Sequence, residues 1–173
     1  RHQTMLGWGG ITSMPAYNML SEQGKAAWWD FLREYGLNIQ REYPAGRSLN
    51  EDMSNLGSMD AAVHHTYADN FPNGETTDFD YLKKHRELPN SSIWYEYWWH
   101  LPEWAKGSAD DYAASYIHYC KIVEEVTGRA PEIVGVQNEY RMPNWPEQAP
   151  ALRKHLDAAG YHSTKIHMND DSK

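Results

Sequence analysis

The sequence lacks several things, and each absence removes a class of protein. It has 173 residues and one cysteine, so it holds no internal disulfide. Cys120 sits in an apolar helical pattern and reads as a buried thiol, not as a nucleophile. No apolar run approaches the roughly 20 residues that a spanning helix needs. Cations are scarce: 16 Lys and Arg stand against 24 Asp and Glu, for a net charge of −8. That balance disfavours a nucleic-acid or anionic-membrane surface, which needs clustered cations. No linker, repeat or low-complexity stretch divides the chain, and the length suits one domain, residues 1–173. Phe is rare too, with 3 residues against 8 Trp and 12 Tyr. Aromatics with a polar handle suit a surface wet on one side, so the composition predicts an acidic domain with an aromatic-rich cleft.

What is present is an alternation of strand-like and helix-like segments. Thr4–Gly10 reads as a strand ending in glycines. Ser21 caps a helix running to Tyr35, with an apolar stripe of Ala27, Trp28, Phe31, Leu32 and Tyr35 and a stop at Gly36. Leu37–Tyr43 is a second strand. Residues 45–74 are polar and give no clear element, and Thr77–Leu88 is a helix ended by Pro89. Ser91–Trp99 is an aromatic third strand. Ser108 caps a helix to Thr127, stopped by Gly128, whose apolar face takes Tyr112, Tyr116, Tyr119, Cys120, Val123 and Val126. Glu132–Gln137 is a fourth strand, Glu147–Ala159 a helix stopped by Gly160, and Ser163–Met168 a fifth strand.

Five strands and four helices in strict alternation imply an α/β fold of parallel strands joined by right-handed crossovers. The turn Gly7-Trp8-Gly9-Gly10 lacks the spacing of a dinucleotide fingerprint, which disfavours a doubly wound nucleotide binder. A (β/α)8 TIM barrel takes about 250 residues, so five strands are expected to be the N-terminal portion of one. Arg1 in place of an initiator Met fits a piece of a longer or processed product, and no signal peptide is read at the start.

In parallel α/β folds chemistry gathers at the C-terminal ends of strands. Those ends carry Trp8; Arg41 and Glu42; Trp98, Trp99 and His100; Gln137, Asn138 and Glu139; then Asn169 and Asp170. Aromatic faces that stack on sugar rings, amide and guanidinium groups that bond hydroxyls, and a carboxyl that protonates a glycosidic oxygen together suggest a sugar site. The run Val136-Gln137-Asn138-Glu139 resembles the end of the fourth strand of glycoside hydrolase clan A, nearest family 30, which reads Gln-Asn-Glu-Pro. Leu6-Gly7-Trp8-Gly9-Gly10 is similar to its glycine-rich first strand, and Tyr35-Gly36-Leu37-Asn38 with Arg41 to its second. Trp99-His100-Leu101-Pro102-Glu103-Trp104-Ala105-Lys106 is similar to its Trp-Ser-Pro-Pro-x-Trp-Met-Lys segment, and Gly160 through Thr164-Lys165-Ile166 to Asp170 is similar to its fifth strand. Tyr140 replaces the family Pro, and His100-Leu101 replace Ser-Pro, which changes the walls of the site.

The resemblance implies a retaining glycosidase acting on β-linked oligo- or polysaccharide, with two carboxyl groups about 5–5.5 Å apart. Glu139 would be the general acid/base, holding its proton in a partly apolar site opposite a negative nucleophile. The nucleophile would lie on a seventh strand, outside these 173 residues. Asn138 would bond a hydroxyl beside the reacting carbon, Arg41 would orient the nucleophile, and Trp99 would wall the subsite, with Trp8, His100 and Tyr140 as further substrate contacts. No cofactor is implied, and the resemblance favours a secreted or periplasmic location. Plainer readings stand beside these. Arg41 could instead pair with Glu42, Trp94 and Trp98 read as core, Trp28 and Trp29 as helix packing, and Trp145 as a sugar platform or a loop anchor. Two other functions are carried: a non-catalytic carbohydrate-binding half-barrel completed by a partner chain, and a metal-binding βα domain using His64, His65 and His100.

Overall fold

In a computed structural model, residues 7–12, 14–42, 78–96, 108–136 and 145–168 are described. Ten elements follow in order: β1 Trp8–Gly10, α1 Met14–Asn18, α2 Glu22–Tyr35, β2 Leu37–Glu42, α3 Asp78–His85, β3 Ser92–Tyr95, α4 Ala109–Thr127, β4 Ile133–Gly135, α5 Trp145–Ala158 and β5 Lys165–His167. The five strands form one sheet in the order β1-β2-β3-β4-β5, every pair parallel. Among the described residues the fold is therefore α/β, with five parallel strands and five helices.

Local chemistry sets the helix ends. Ser21 Oγ accepts from the Gly24 N–H, and Gly36 closes α2 in the left-handed region at φ 64°. Ser108 Oγ accepts from the Asp111 N–H, and Gly128, at φ 81°, donates its N–H to the Glu124 carbonyl. One helix, α1, escapes the sequence reading, since five residues are too few for a periodic stripe. It docks through Tyr17, whose hydroxyl accepts from Trp29 Nε1 at 2.9 Å. The α2 stripe is also rotated from expectation. Trp29 and Leu32 are buried, whereas Phe31 and Tyr35 are exposed, with their rings tilted against each other on the outer face.

Strand alternation gives the sheet two chemically different faces. Ile93, Tyr95, Val134 and Ile166 point to the helices and pack with Leu82, Tyr112, Tyr116, Tyr119, Cys120, Val123, Leu152 and Leu156. Arg41 pairs in register with Trp94, and Gly135 with His167; these project from the other face together with Glu96.

The expected link between tyrosine and a wet cleft is corrected here. Tyr17, Tyr81, Tyr95, Tyr112, Tyr116 and Tyr119 are all buried. In Tyr112 and Tyr116 the hydroxyl does what Phe could not, because acceptors lie within the core. Tyr112 and Tyr116 of α4 donate to the carbonyls of Val136 and Gly135 at the end of β4. Tyr81 Oη accepts from Trp28 Nε1 at 2.9 Å and meets Thr12 Oγ1 at 2.8 Å, while Thr12 also reaches Gln40 Oε1. Cys120 is a buried thiol as expected, pushed up to about 12 chiefly by burial.

His85 is 1 % exposed, and burial, helped by the charge of Arg86, pushes its imidazole down to about 4. The folded state thus holds His85 neutral where the unfolded chain would protonate it. Its contribution is complete above the usual His value of about 6.5 and is lost as pH falls toward 4, an effect of order 3 kcal/mol. Thermal melts across pH 7 to 4 should show this loss, and His85→Phe should flatten that part of the profile. In a second test at neutral pH, Tyr112→Phe should lower stability by about 1–3 kcal/mol by leaving a buried carbonyl short of its donor. The double variant with Tyr116→Phe should be non-additive in chemical denaturation, because the two hydroxyls share the Val136 acceptor.

Candidate functional site

The polar face of the sheet concentrates its chemistry at the C-terminal ends of the strands. From β2, Arg41 extends its guanidinium to the Glu96 carboxylate, which follows β3. Glu96 is fully buried, and the Arg41 side chain is 20 % exposed. The Glu96 backbone is fixed as well, since its N–H donates to the Glu42 carbonyl at 3.1 Å. A buried charge pair forms only with close geometry, because desolvating each ion costs several kcal/mol. Here the Arg41 guanidinium also lies over the Trp94 ring, 4.4 Å from its centroid. On the other side of Trp94 stands His167 of β5, with ring centroids 4.5 Å apart in an edge-on arrangement. The second carboxylate oxygen of Glu96 lies 3.9 Å from His167 Nδ1 and, among the described residues, has no hydrogen-bond donor. The Trp94 indole N–H likewise finds no acceptor among them.

Gly135 makes this cluster possible. A Cβ there would fall 1.9 Å from Glu96 Oε2 and 2.7 Å from Glu96 Cβ. The glycine is required by the close approach of a side chain, since its backbone is ordinary strand. β4 thus gives up a side chain so that the β3 carboxylate can lie flat against it and reach toward β5.

The sequence-derived candidates divide as follows. Arg41 is in the cluster. Its partner is Glu96, and Glu42 points to the opposite face, where its carboxylate accepts from Gln40 Nε2 at 2.7 Å. Trp94, expected in the core, is instead the central ring of the polar face. Trp8, expected after the first strand, opens β1 and is exposed; it pairs with Leu37, four residues before Arg41. That separation is about 13 Å along a strand, so Trp8 stands at the other end of the sheet from Arg41. Trp29 packs as expected and Trp28 is partly buried beside it. Asn138, Glu139, Tyr140, Trp98, Trp99, His100, His64, His65, Asn169 and Asp170 lie outside the described residues, as does the side chain of Trp145.

Sequence reasoning missed Glu96 and His167 as members of the site. Both signals were legible: a charged residue two positions after Trp94 in an aromatic strand, and a histidine beside the apolar Ile166. Strand alternation alone puts Glu96 on the Trp94 face and His167 opposite Ile166.

A groove of about 760 Å³ opens at the other end of the sheet, lined by Ser92, Glu132, Ile133, Thr164 and Lys165 among others. Two of its charged groups, Glu132 and Arg129, are committed to holding the turns. Glu132 takes a two-oxygen contact from Arg86 Nη1 at 2.8 Å, and Arg129 Nη2 donates to Ser91 Oγ and its carbonyl. This end is where such folds place stability rather than chemistry. No group of three or more His, Cys, Asp or Glu among the described residues is arranged to hold a metal ion. No helix among them is long and apolar enough to cross a membrane.

The space left by Gly135 gives a direct test. Gly135→Ala should destabilise the fold by about 1–3 kcal/mol and displace the Glu96 carboxylate. Chemical denaturation reads the first effect, and a changed Trp94 emission spectrum reads the second.

No protein-family model matches the chain, and no curated protein matches it significantly.

Proposed function

We propose that the chain is part of a retaining glycoside hydrolase in which Glu139 is the general acid/base. The observation that carries this reading is the convergence of Arg41, Trp94, Glu96 and His167 at one end of the sheet, around the end of β4. β4 runs through Val136 in sequence into Gln137-Asn138-Glu139. An aromatic ring, a guanidinium and an imidazole beside an Asn-Glu pair suit a sugar ring: the ring stacks, and the polar groups bond hydroxyls.

The fold reading that accompanies it is the N-terminal portion of a (β/α)8 barrel. The strand order 1-2-3-4-5 supports it, because the order never reverses as a doubly wound sheet must. On this reading Glu139 donates a proton to the leaving glycosidic oxygen as the anomeric carbon is attacked. It then takes a proton from the water that releases the sugar. Asn138 holds the hydroxyl beside the reacting carbon, where the contact strengthens in the transition state. Arg41, fixed by Glu96 and Trp94, supplies a preorganised positive group at the mouth of the site. The nucleophile is assigned to a strand beyond residue 173.

Turnover of aryl β-glycosides by the full-length protein, which on this reading includes the nucleophile, with and without Glu139→Gln, tests the assignment. The substitution should lower turnover of a poor leaving group by about a hundred- to ten-thousandfold. A dinitrophenyl glycoside, which leaves without proton help, should lose much less at the glycosylation step. Equal turnover of both substrates by the variant and the parent would sink the assignment. Sugar binding with no turnover in either protein would favour the carbohydrate-binding reading.

A further inference from the structure

The helix side of the sheet holds a cavity of about 230 Å³ bordered by β1, β2, α2 and α3. Trp28 and Leu32, one turn apart on α2, and Leu37 of β2 give it apolar walls. Among the described residues, none that lines it is charged at neutral pH. Gly10 and Ile11 also line it and are exposed, which puts its mouth at the β1 edge.

Gly10 leaves part of this space open. It pairs in register with Gln40, so a side chain there would point with Gln40 to the helix side. A Cβ at Gly10 would meet no atom within 4 Å, and its backbone is strand without a positive φ. The polar group of Gln40 is answered inside the fold. Its Oε1 accepts from Thr12 Oγ1 at 3.1 Å, and its Nε2 donates to Glu42 Oε1 at 2.7 Å. His85 is different. It lines the cavity from α3, is 1 % exposed, and its Nδ1 has no hydrogen-bond partner among the described residues. Burial, with the charge of Arg86, pushes the imidazole down to about 4, so the ring is neutral at pH 7. A buried polar nitrogen without a partner is costly and uncommon in native folds. One water takes about 30 Å³, a small part of this cavity, whereas an apolar cavity of about 150 Å³ holds benzene. The space therefore suits a single ring with a small substituent. A hydroxyl suits His85 Nδ1 in either tautomer, because it both donates and accepts. A charged ligand would lose its hydration here without finding a counter-charge.

We propose that this cavity binds a small uncharged ring compound bearing one hydroxyl, phenol being the simplest, with the hydroxyl paired to His85. The site does not depend on the glycosidase reading, since it lies on the other face of the sheet from Arg41 and Glu96.

Phenol, toluene and benzoate are the probes, titrated into the full chain at pH 7 and followed by ligand-observed magnetic resonance. Phenol should bind with a dissociation constant of about 1 mM or tighter, and benzoate at least about tenfold more weakly. Gly10→Val fills the open space and should abolish phenol binding, with circular dichroism and thermal melting showing a fold at least as stable as the parent. His85→Phe keeps a ring at that position but no nitrogen. It should still bind toluene, and its preference for phenol over toluene should fall by about tenfold. A general loss of folding would remove both ligands together, so the ratio separates that case from a lost hydrogen bond. Absence of saturable phenol binding to the parent, undiminished binding to a folded Gly10→Val, or an unmoved ratio in His85→Phe overturns the proposal.

Discussion

The arrangement depends most on the hydroxyls of Tyr112 and Tyr116. Both come from the first half of α4 and donate to the last carbonyls of β4. Those carbonyls face the point where the sheet ends and the chain enters Gln137-Asn138-Glu139. The same strand end is held from the other side by the Val136 N–H, which donates to the His167 carbonyl at 2.9 Å. A strand of three residues has little ladder of its own, so these side-chain bonds, with the packing of Tyr95 against Tyr119, fix where it stops.

Fixing β4 in turn fixes the polar face. Gly135 must lie against Glu96 for the carboxylate to reach Arg41, and its paired neighbour His167 must lie beside Trp94. The cluster contains residues from β2, β3 and β5, with β4 as the floor between them. Neighbouring strands in a parallel sheet sit about 4.8 Å apart, so such a cluster needs every strand in register. A slip of one residue would turn Trp94 and Glu96 toward the helices and Tyr95 toward the polar face.

Much of the fold was legible in the sequence. The Ser and Gly residues flanking α2 and α4 marked their ends correctly, because a cap is a local interaction. Alternation of strand-like and helix-like segments predicted the parallel sheet. The rotation of the α2 stripe was not legible, since Trp28, Trp29, Phe31 and Leu32 are all apolar and only the positions of Tyr17 and Tyr81 decide which of them turns inward. Tyrosine burial was hidden for a similar reason. A Tyr without its acceptor reads as a surface residue, and the acceptors of Tyr112 and Tyr116 lie about 20 residues away in the chain. Glu96 was passed over because a carboxylate inside an aromatic strand reads as an interruption until Arg41, 55 residues earlier, is placed beside it.

Hydrogen bonds from aromatic hydroxyls have a further consequence. A layer of Phe and Leu would let α4 slide or rotate on the sheet with a gradual change in contact area. The hydroxyls of Tyr112 and Tyr116 allow only those positions in which each finds its carbonyl. The helix is therefore indexed to the strand like a key to its wards, and the α4–β4 turn acts as a spacer of set length. Sequence drift in that turn is limited by Gly128, Arg129 and Glu132, which hold it in place, and a change in the number of its residues would have to be absorbed there or passed on to the residues that follow β4.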